Sequence, residues 1–196
     1  MNKHYKLTAN IYLNDVSDPN WKENNPHSWF TTGSAQRFGG SLDGDGYTIY
    51  GLYYNGDQAC GLIPYANIWY NDVAFKNLTI SDAYLSTTGY FASALVGYTY
   101  GKNKKSFTVS NCYVTSTVSV KTTSQYGGGF LGCAADGGDT YTVENSAVLA
   151  TVEAKGGYRG TFCGSFSPSN NVTVRNSFAF QGFGGDVDTN ENSYAI

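Results

Sequence analysis

An asparagine followed by small or apolar residues opens NLTISDAYL at Asn77, NCYVTSTVSV at Asn111, NSAVLATVEA at Asn145, NSFAFQGF at Asn176 and NSYAI at Asn192. It therefore returns after 34, 34, 31 and 16 positions. The two best-matched units read FTVSNCYVTSTVSVKTTSQYGGGFLG and YTVENSAVLATVEAKGGYRGTFCG. Both place apolar residues three, seven and nine positions after the asparagine: Val114, Val118 and Val120 in one, Val148, Val152 and Ala154 in the other. Both then reach a glycine-flanked apolar pair, GFLG at 129 and TFCG at 161. FKNLTI and YFASALVG, ending at Gly97, form a looser unit. In the N-terminal unit, Gly51 stands near the asparagine position and Leu62-Ile63 is the apolar pair. A fixed period of this size signals an array in which each unit buries its apolar face only by stacking on the next.

The pattern within a unit sets the coil type. Val118 and Val120 alternate with Ser119 and Lys121, which is strand periodicity, and no unit carries a helical one. Parity also shifts inside the unit: Val109 is odd-numbered, whereas Val114, Val118 and Val120 are even-numbered. A corner must lie between them, so one coil is several short strands joined by bends. Asparagine suits a repeated corner because it tolerates the left-handed backbone. Its amide can also bond to the amide of the next coil in a ladder. The expected fold is all-β: a parallel β-helix (β-solenoid) of roughly five coils forming one domain over residues 1–196. The short final unit at Asn192 and the bare start at Met1 read as an excised piece of a larger array.

Composition supports strands and narrows function. Hydrophobic residues make up 41% and charged residues 14%, with 24 Gly and 17 Tyr, a mixture that favours β-structure with many turns. A net charge of −3 and scattered Lys and Arg give no basic face for nucleic acid. Lys102, Lys104 and Lys105 read as the solvated side of a loop. No apolar run approaches the roughly 20 residues of a membrane helix. The start, MNKHYKLTAN, lacks the apolar core of a signal peptide. Cys60, Cys112, Cys133 and Cys163 show no zinc spacing, so no metal or cofactor is expected. They read as buried free thiols; a Cys133–Cys163 bridge is the only pairing the repeat offers.

FGGSLDGDGYTIYGLYYN, preceded by YKLTANIYLND and followed by GLIPYA and VAFKNLTI, resembles the opening of GLUG-motif domains. NCYVTSTVSV…GGFLG and NSYA resemble the repeats of that family, over roughly residues 5 to 196. The resemblance implies a right-handed parallel β-helix from secreted or surface-anchored bacterial proteins, including adhesins and IgA-peptidase-type proteins in which it is an accessory region. It implies an extracellular or cell-surface location and no catalytic set within the repeat. Departures are Pro64 for the second glycine in GLIP, Cys163 in TFCG, and a long loop from Val16 to Arg37.

That loop holds Trp21, Trp29 and Phe30. It reads either as a cap over the open end of the solenoid or as a ligand-contacting segment on a rigid scaffold. A second candidate is a column. Tyr126 and Tyr158 each lie six residues before the unit glycine and Tyr90 lies seven before Gly97, with Arg159 beside the last. Such a column would bind an extended glycan or simply stabilise a turn by stacking. Catalysis has little to rest on. Asp43 and Asp45 in LDGDGYTI read as a tight turn, because Tyr47 sits where an EF-hand ligand belongs. Asp82, Asp136, Asp139, Glu144 and Glu153 do not recur in one column, and only His4 and His27 could act as neutral-pH bases. The tail with Asp186, Asp188 and Glu191 reads as a solvated turn. The expectation is a non-catalytic module that mediates attachment to a polysaccharide or host glycoprotein, flanked by other modules of a parent protein. A structural spacer, or a polysaccharide lyase or glycosidase, is the alternative.

Overall fold

The repeated asparagines sit at corners. Asn77, Asn111, Asn145 and Asn176 all adopt the left-handed backbone, with φ of 54°, 52°, 49° and 48°. The computed structural model describes residues 2–29, 37–134 and 136–180. All strand pairs are parallel and join residues about one repeat apart, as in Phe107 with Val73 and Tyr141. The chain is therefore a parallel β-solenoid, and among the described residues it contains no helix.

Among the described residues five sheets run along the stack. The first contains Asn2–Lys6, Gly39–Asp43, Val73–Lys76, Ser106–Ser110, Thr140–Glu144 and Asn171–Arg175. The second contains Ile11–Tyr12, Thr48–Tyr50, Thr79–Ser81, Tyr113–Val114, Ala147–Val148 and Phe178–Ala179. The third contains Tyr53–Gly56, Tyr84–Thr87, Ser119–Thr122 and Thr151–Ala154. The fourth contains Phe91–Ser93, Tyr126–Gly128 and Tyr158–Gly160. The fifth contains Ile63–Asn67, Val96–Tyr100, Leu131–Ala134 and Cys163–Phe166. Complete coils span 39–67, 73–100, 106–134 and 140–166, with a partial coil at either end.

Strand alternation sorts the side chains. Ile49, Ile80, Val114 and Val148 stack inside the second sheet, and Leu85, Val120 and Val152 inside the third. Phe75, Phe107 and Tyr141 form a buried aromatic column behind the first. Each such side chain contributes about 1.5–3 kcal/mol relative to exposure. The asparagines form the expected ladder in two runs. The Asn111 amide donates to Asn77 Oδ1 (3.1 Å), Asn77 to Asp43 Oδ1 (3.0 Å) and Asn176 to Asn145 Oδ1 (3.3 Å).

The unit glycines have a different cause. A Cβ on Gly97 would come within 2.6 Å of Pro64 O, on Gly132 within 2.4 Å of Gly97 O, and on Gly164 within 2.5 Å of Gly132 O. Only glycine lets the coils approach there. Pro64 fits in the first complete coil because it is the carbonyl contributor, with no described coil beneath it at that edge.

One alignment needs correction, and the cysteines are the buried free thiols expected. Gly51 does not stand opposite the asparagines. Gly44 N–H instead reaches Lys76 O and Gly46 N–H reaches Asn77 O, both at 2.8 Å, while Gly51 N–H meets Asp82 O (3.1 Å) at the following bend. The LDGDG corner is longer than its successors and displaces the match. The Cys133–Cys163 bridge is absent. All four cysteines are free and buried, and Cys163 pairs with Leu131 while Cys133 pairs with Ser165, leaving the two thiols out of step. Burial pushes the Cys60 and Cys133 thiols up to about 12, so neither ionises near neutrality.

Candidate functional site

The outer side of the fourth and fifth sheets is aromatic. In Val96–Tyr100, Thr99 points inward and shares a hydrogen bond with the buried Tyr141 hydroxyl (2.8 Å), which sends Tyr98 and Tyr100 outward. Tyr65 pairs with Tyr98 one coil below and is also half-buried on the outer face. On the fourth sheet Phe91, Tyr126 and Tyr158 are in register. The rings make a continuous track. Tyr158 stacks on Tyr126 at 4.8 Å, Tyr126 on Phe91 at 5.4 Å, and Phe91 crosses to Tyr98 at 4.6 Å. Tyr98 meets Tyr100 edge-on at 4.6 Å, and Tyr65 lies 6.0 Å from Tyr100. The Arg37 guanidinium closes the track, 3.5 Å above the Tyr100 ring.

Stacking covers the ring faces inside the column and turns edges and hydroxyls outward. Within the column Tyr126 is stacked between two described rings, while Phe91 and Tyr158 at its ends each stack on one. Partial burial raises the pKa of Tyr65, Tyr98 and Tyr126, so these phenols stay protonated and can donate hydrogen bonds.

The structure changes two members of the sequence-derived column. Tyr90 falls one residue out of step, with Phe91 in its place. The Tyr90 ring is 59% exposed and lies 6.1 Å from Phe91. Arg159 pairs with Gly127 and, by strand alternation, points to the opposite side from Tyr158. Sequence inspection also missed Tyr65, Tyr98, Tyr100 and Arg37. Tyr98 and Tyr100 carried a usable signal, since YTY alternates after the unit glycine. Arg37 carried none, because it arrives from the loop ahead of the first complete coil.

The long loop covers the N-terminal end of the stack. Trp21 is buried edge-on against Tyr53 (6.2 Å), with Lys22 Nζ 5.7 Å above its ring. Trp29 donates its backbone N–H to Tyr53 O (2.6 Å) and its indole N–H to Leu62 O (3.0 Å), closing otherwise open strand edges. The Asn14 side chain donates to Gly51 O (2.7 Å) and accepts His27 N–H (2.7 Å). These contacts describe a cap: Trp21 is buried, and Trp29 is half-buried with its indole N–H engaged. Phe30 lies outside the described residues, as do Asp186, Asp188, Glu191 and the final NSYAI. A shallow cleft of about 550 Å³ lies within the loop, lined by Tyr12, Leu13, Asn14, Asp15, Val16, Ser17 and His27. Its carboxylate is engaged, Asp15 Oδ1 accepting from Ser17 N–H and Oγ.

Carboxylates elsewhere are also committed. Asp43 accepts from the Asn77 amide and Asp45 N–H and pairs with Lys76. This confirms the LDGDG segment as a turn, with Gly46 at φ 85°. Asp139 is the exception: it is fully buried, its Oδ1 accepts Lys105 N–H (3.0 Å), its Oδ2 meets no hydrogen-bond donor among the described residues, and burial raises its pKa. Asp136 accepts Gly101 N–H (3.3 Å) and lies 3.7 Å from Lys102 Nζ. Among the described residues no three His, Cys, Asp or Glu side chains come together as metal ligands.

These features define a capped parallel β-solenoid with an aromatic track across its fourth and fifth sheets. No family model and no curated protein matches the chain. A solved structure that it resembles is that of a candidate immunoglobulin A1 protease from Bacteroides ovatus. The TM-score is 0.49 and the identity 14%, over 91% of this chain and 69% of that chain. Similarity at this level says nothing of substrate or activity.

Proposed function

We propose that this chain is a non-catalytic, extracellular attachment module of a bacterial protein, and that it binds a glycan along the aromatic face. One observation carries the reading. The unbroken track from Tyr158 through Tyr126, Phe91 and Tyr98 to Tyr100 is only half-buried on a rigid scaffold. A polysaccharide presents alternating C–H patches and hydroxyls; ring edges with protonated phenols, and the face of Tyr158 on which no described ring stacks, match that chemistry. The sequence resemblance to GLUG-motif domains supports the bacterial surface setting. The engagement of Asp43 and Asp136 by their own neighbours supports a binding rather than a catalytic role.

A broad glycan array followed by calorimetry tests the proposal. A hit should weaken about tenfold or more in Tyr126→Ala and Tyr158→Ala, the scale expected of a central aromatic contact. The absence of any ligand would leave the spacer reading, which the mutual stacking of Phe91, Tyr126 and Tyr158 also favours.

A further inference from the structure

We propose that the N-terminal cap holds a second binding site, a cleft that takes a single neutral pyranose such as the end sugar of a glycan. It shares no residue with the aromatic track and does not rest on that reading. The site is the cleft of about 550 Å³ between Tyr12, the turn from Asp15 to Ser17, and His27. Its walls are fixed. Leu13 N–H reaches Tyr50 O (2.9 Å), continuing the edge of the second sheet past Tyr12. The Asn14 side chain then straps His27 in place, donating to His27 O (3.1 Å) and accepting His27 N–H (2.7 Å) while it holds Gly51 O (2.7 Å). Ser17 Oγ and N–H both donate to Asp15 Oδ1, at 2.6 and 3.1 Å. Those bonds keep the carboxyl below its ordinary range, and leave Oδ2 with no hydrogen bond or ion pair among the described residues. The His27 ring is exposed, and neither of its nitrogens has a partner among the described residues.

Beside these free polar atoms stands a flat platform. Tyr12 stacks on Tyr50 at 4.8 Å and 6° from parallel, is 64% exposed, and meets no described ring on its other face. Tyr5, Tyr70 and Tyr90 are comparably exposed, but they meet their ring neighbours at 30°, 48° and 46° and do not line the cleft. The C–H face of a pyranose fits the Tyr12 ring, Asp15 Oδ2 accepts from one hydroxyl, and the His27 ring bonds to the next. Charge narrows the class. Asp15 repels carboxylated and sulfated sugars, and among the described residues no Lys or Arg lines the cleft to hold them. A purely apolar occupant would strip water from the carboxylate and replace it with nothing.

The chain has two histidines, so their ring signals locate binding directly. His4 is the control, since it sits on the first sheet with its Nδ1 bonded to Ser41 Oγ (2.8 Å). NMR titrations with the methyl glycosides of glucose, galactose, mannose, fucose and N-acetylglucosamine test the proposal. At least one should move the His27 signals to saturation and leave those of His4 in place. Asp15→Asn keeps an acceptor for Ser17 but replaces Oδ2 with a donor, and should weaken that sugar about tenfold. Tyr12→Leu should weaken it at least as much. Asp15→Asn disturbs no core packing, so its result holds even if Tyr12→Leu loosens the sheet edge. A panel that leaves His27 unmoved, or an unchanged affinity in Asp15→Asn, would overturn the site. Tighter binding of glucuronate, or binding of choline in place of every sugar, would overturn the neutral-sugar assignment. None of these results touches the aromatic face, which its own array and the Tyr126→Ala and Tyr158→Ala variants decide.

Discussion

The outer side of the first sheet and the aromatic face are built by the same stacking, yet they treat their side chains differently. On the first sheet Asp43 stands beside Lys76, and Glu144 beside Arg175, so charges alternate up the column and satisfy one another. On the fourth sheet Phe91, Tyr126 and Tyr158 repeat like with like. Rings can do so because stacking is favourable between identical neighbours, each pair contributing about 0.5–1.5 kcal/mol beyond area. Repeating charges cannot, since like charges in register repel. A polar column therefore closes on itself, while an aromatic column leaves edges and hydroxyls directed at solvent. On this solenoid, the aromatic column is the one with contacts left to offer.

That contrast can be challenged from inside outward. Phe107→Ala removes a side chain packed between Phe75 and Tyr141 behind the first sheet. Urea denaturation should show a loss of about 3–5 kcal/mol. A much smaller loss would mean that the outer ladders, rather than the core, hold the coils together. Asn111→Ala keeps the corner but forces alanine to φ 52° and deletes the amide bond to Asn77. The expected cost is about 1–2 kcal/mol. Asn111→Gly should cost less, because glycine accepts the backbone; equal losses would assign the whole effect to the ladder.

The smallest effect is a pH dependence. The Asn77 amide, then Asp45 N–H and Lys76, holds the Asp43 carboxyl down to about 2. An acid whose folded pKa lies below its unfolded value stabilises the fold above the unfolded value, near 3.9, and loses that contribution as pH falls toward the folded one. Asp43→Asn should thus cost about 1 kcal/mol at neutral pH, a cost that shrinks below about pH 4 and vanishes as pH falls through about 2. A cost independent of pH would show that Asp43 acts through shape, and the polar column would no longer be electrostatic.

Much of the architecture could be read from the chain. Asn77, Asn111 and Asn145 announced both the coil length and the left-handed corner, and Val118 and Val120 announced the strand. The aromatic site was half legible. Phe91, like Tyr126 and Tyr158, lies six residues before its unit glycine, so spacing named the correct residue; looking for a phenol selected Tyr90 instead. The loop tryptophans were legible as a cap or a ligand contact, but their partners were not, because the Trp29 indole finds Leu62 O 33 residues away.

Sequence alone determined the period, the alternation and the corners of this protein, because hydrogen-bonded parallel strands impose those spacings locally on every coil. Only the tertiary structure decided that Phe91 meets Tyr98 across a bend and that Arg37 settles on Tyr100. The physical reason is that bends redirect side chains through angles that no linear spacing encodes. The composite face of rings and cations therefore exists only once the coils are wound.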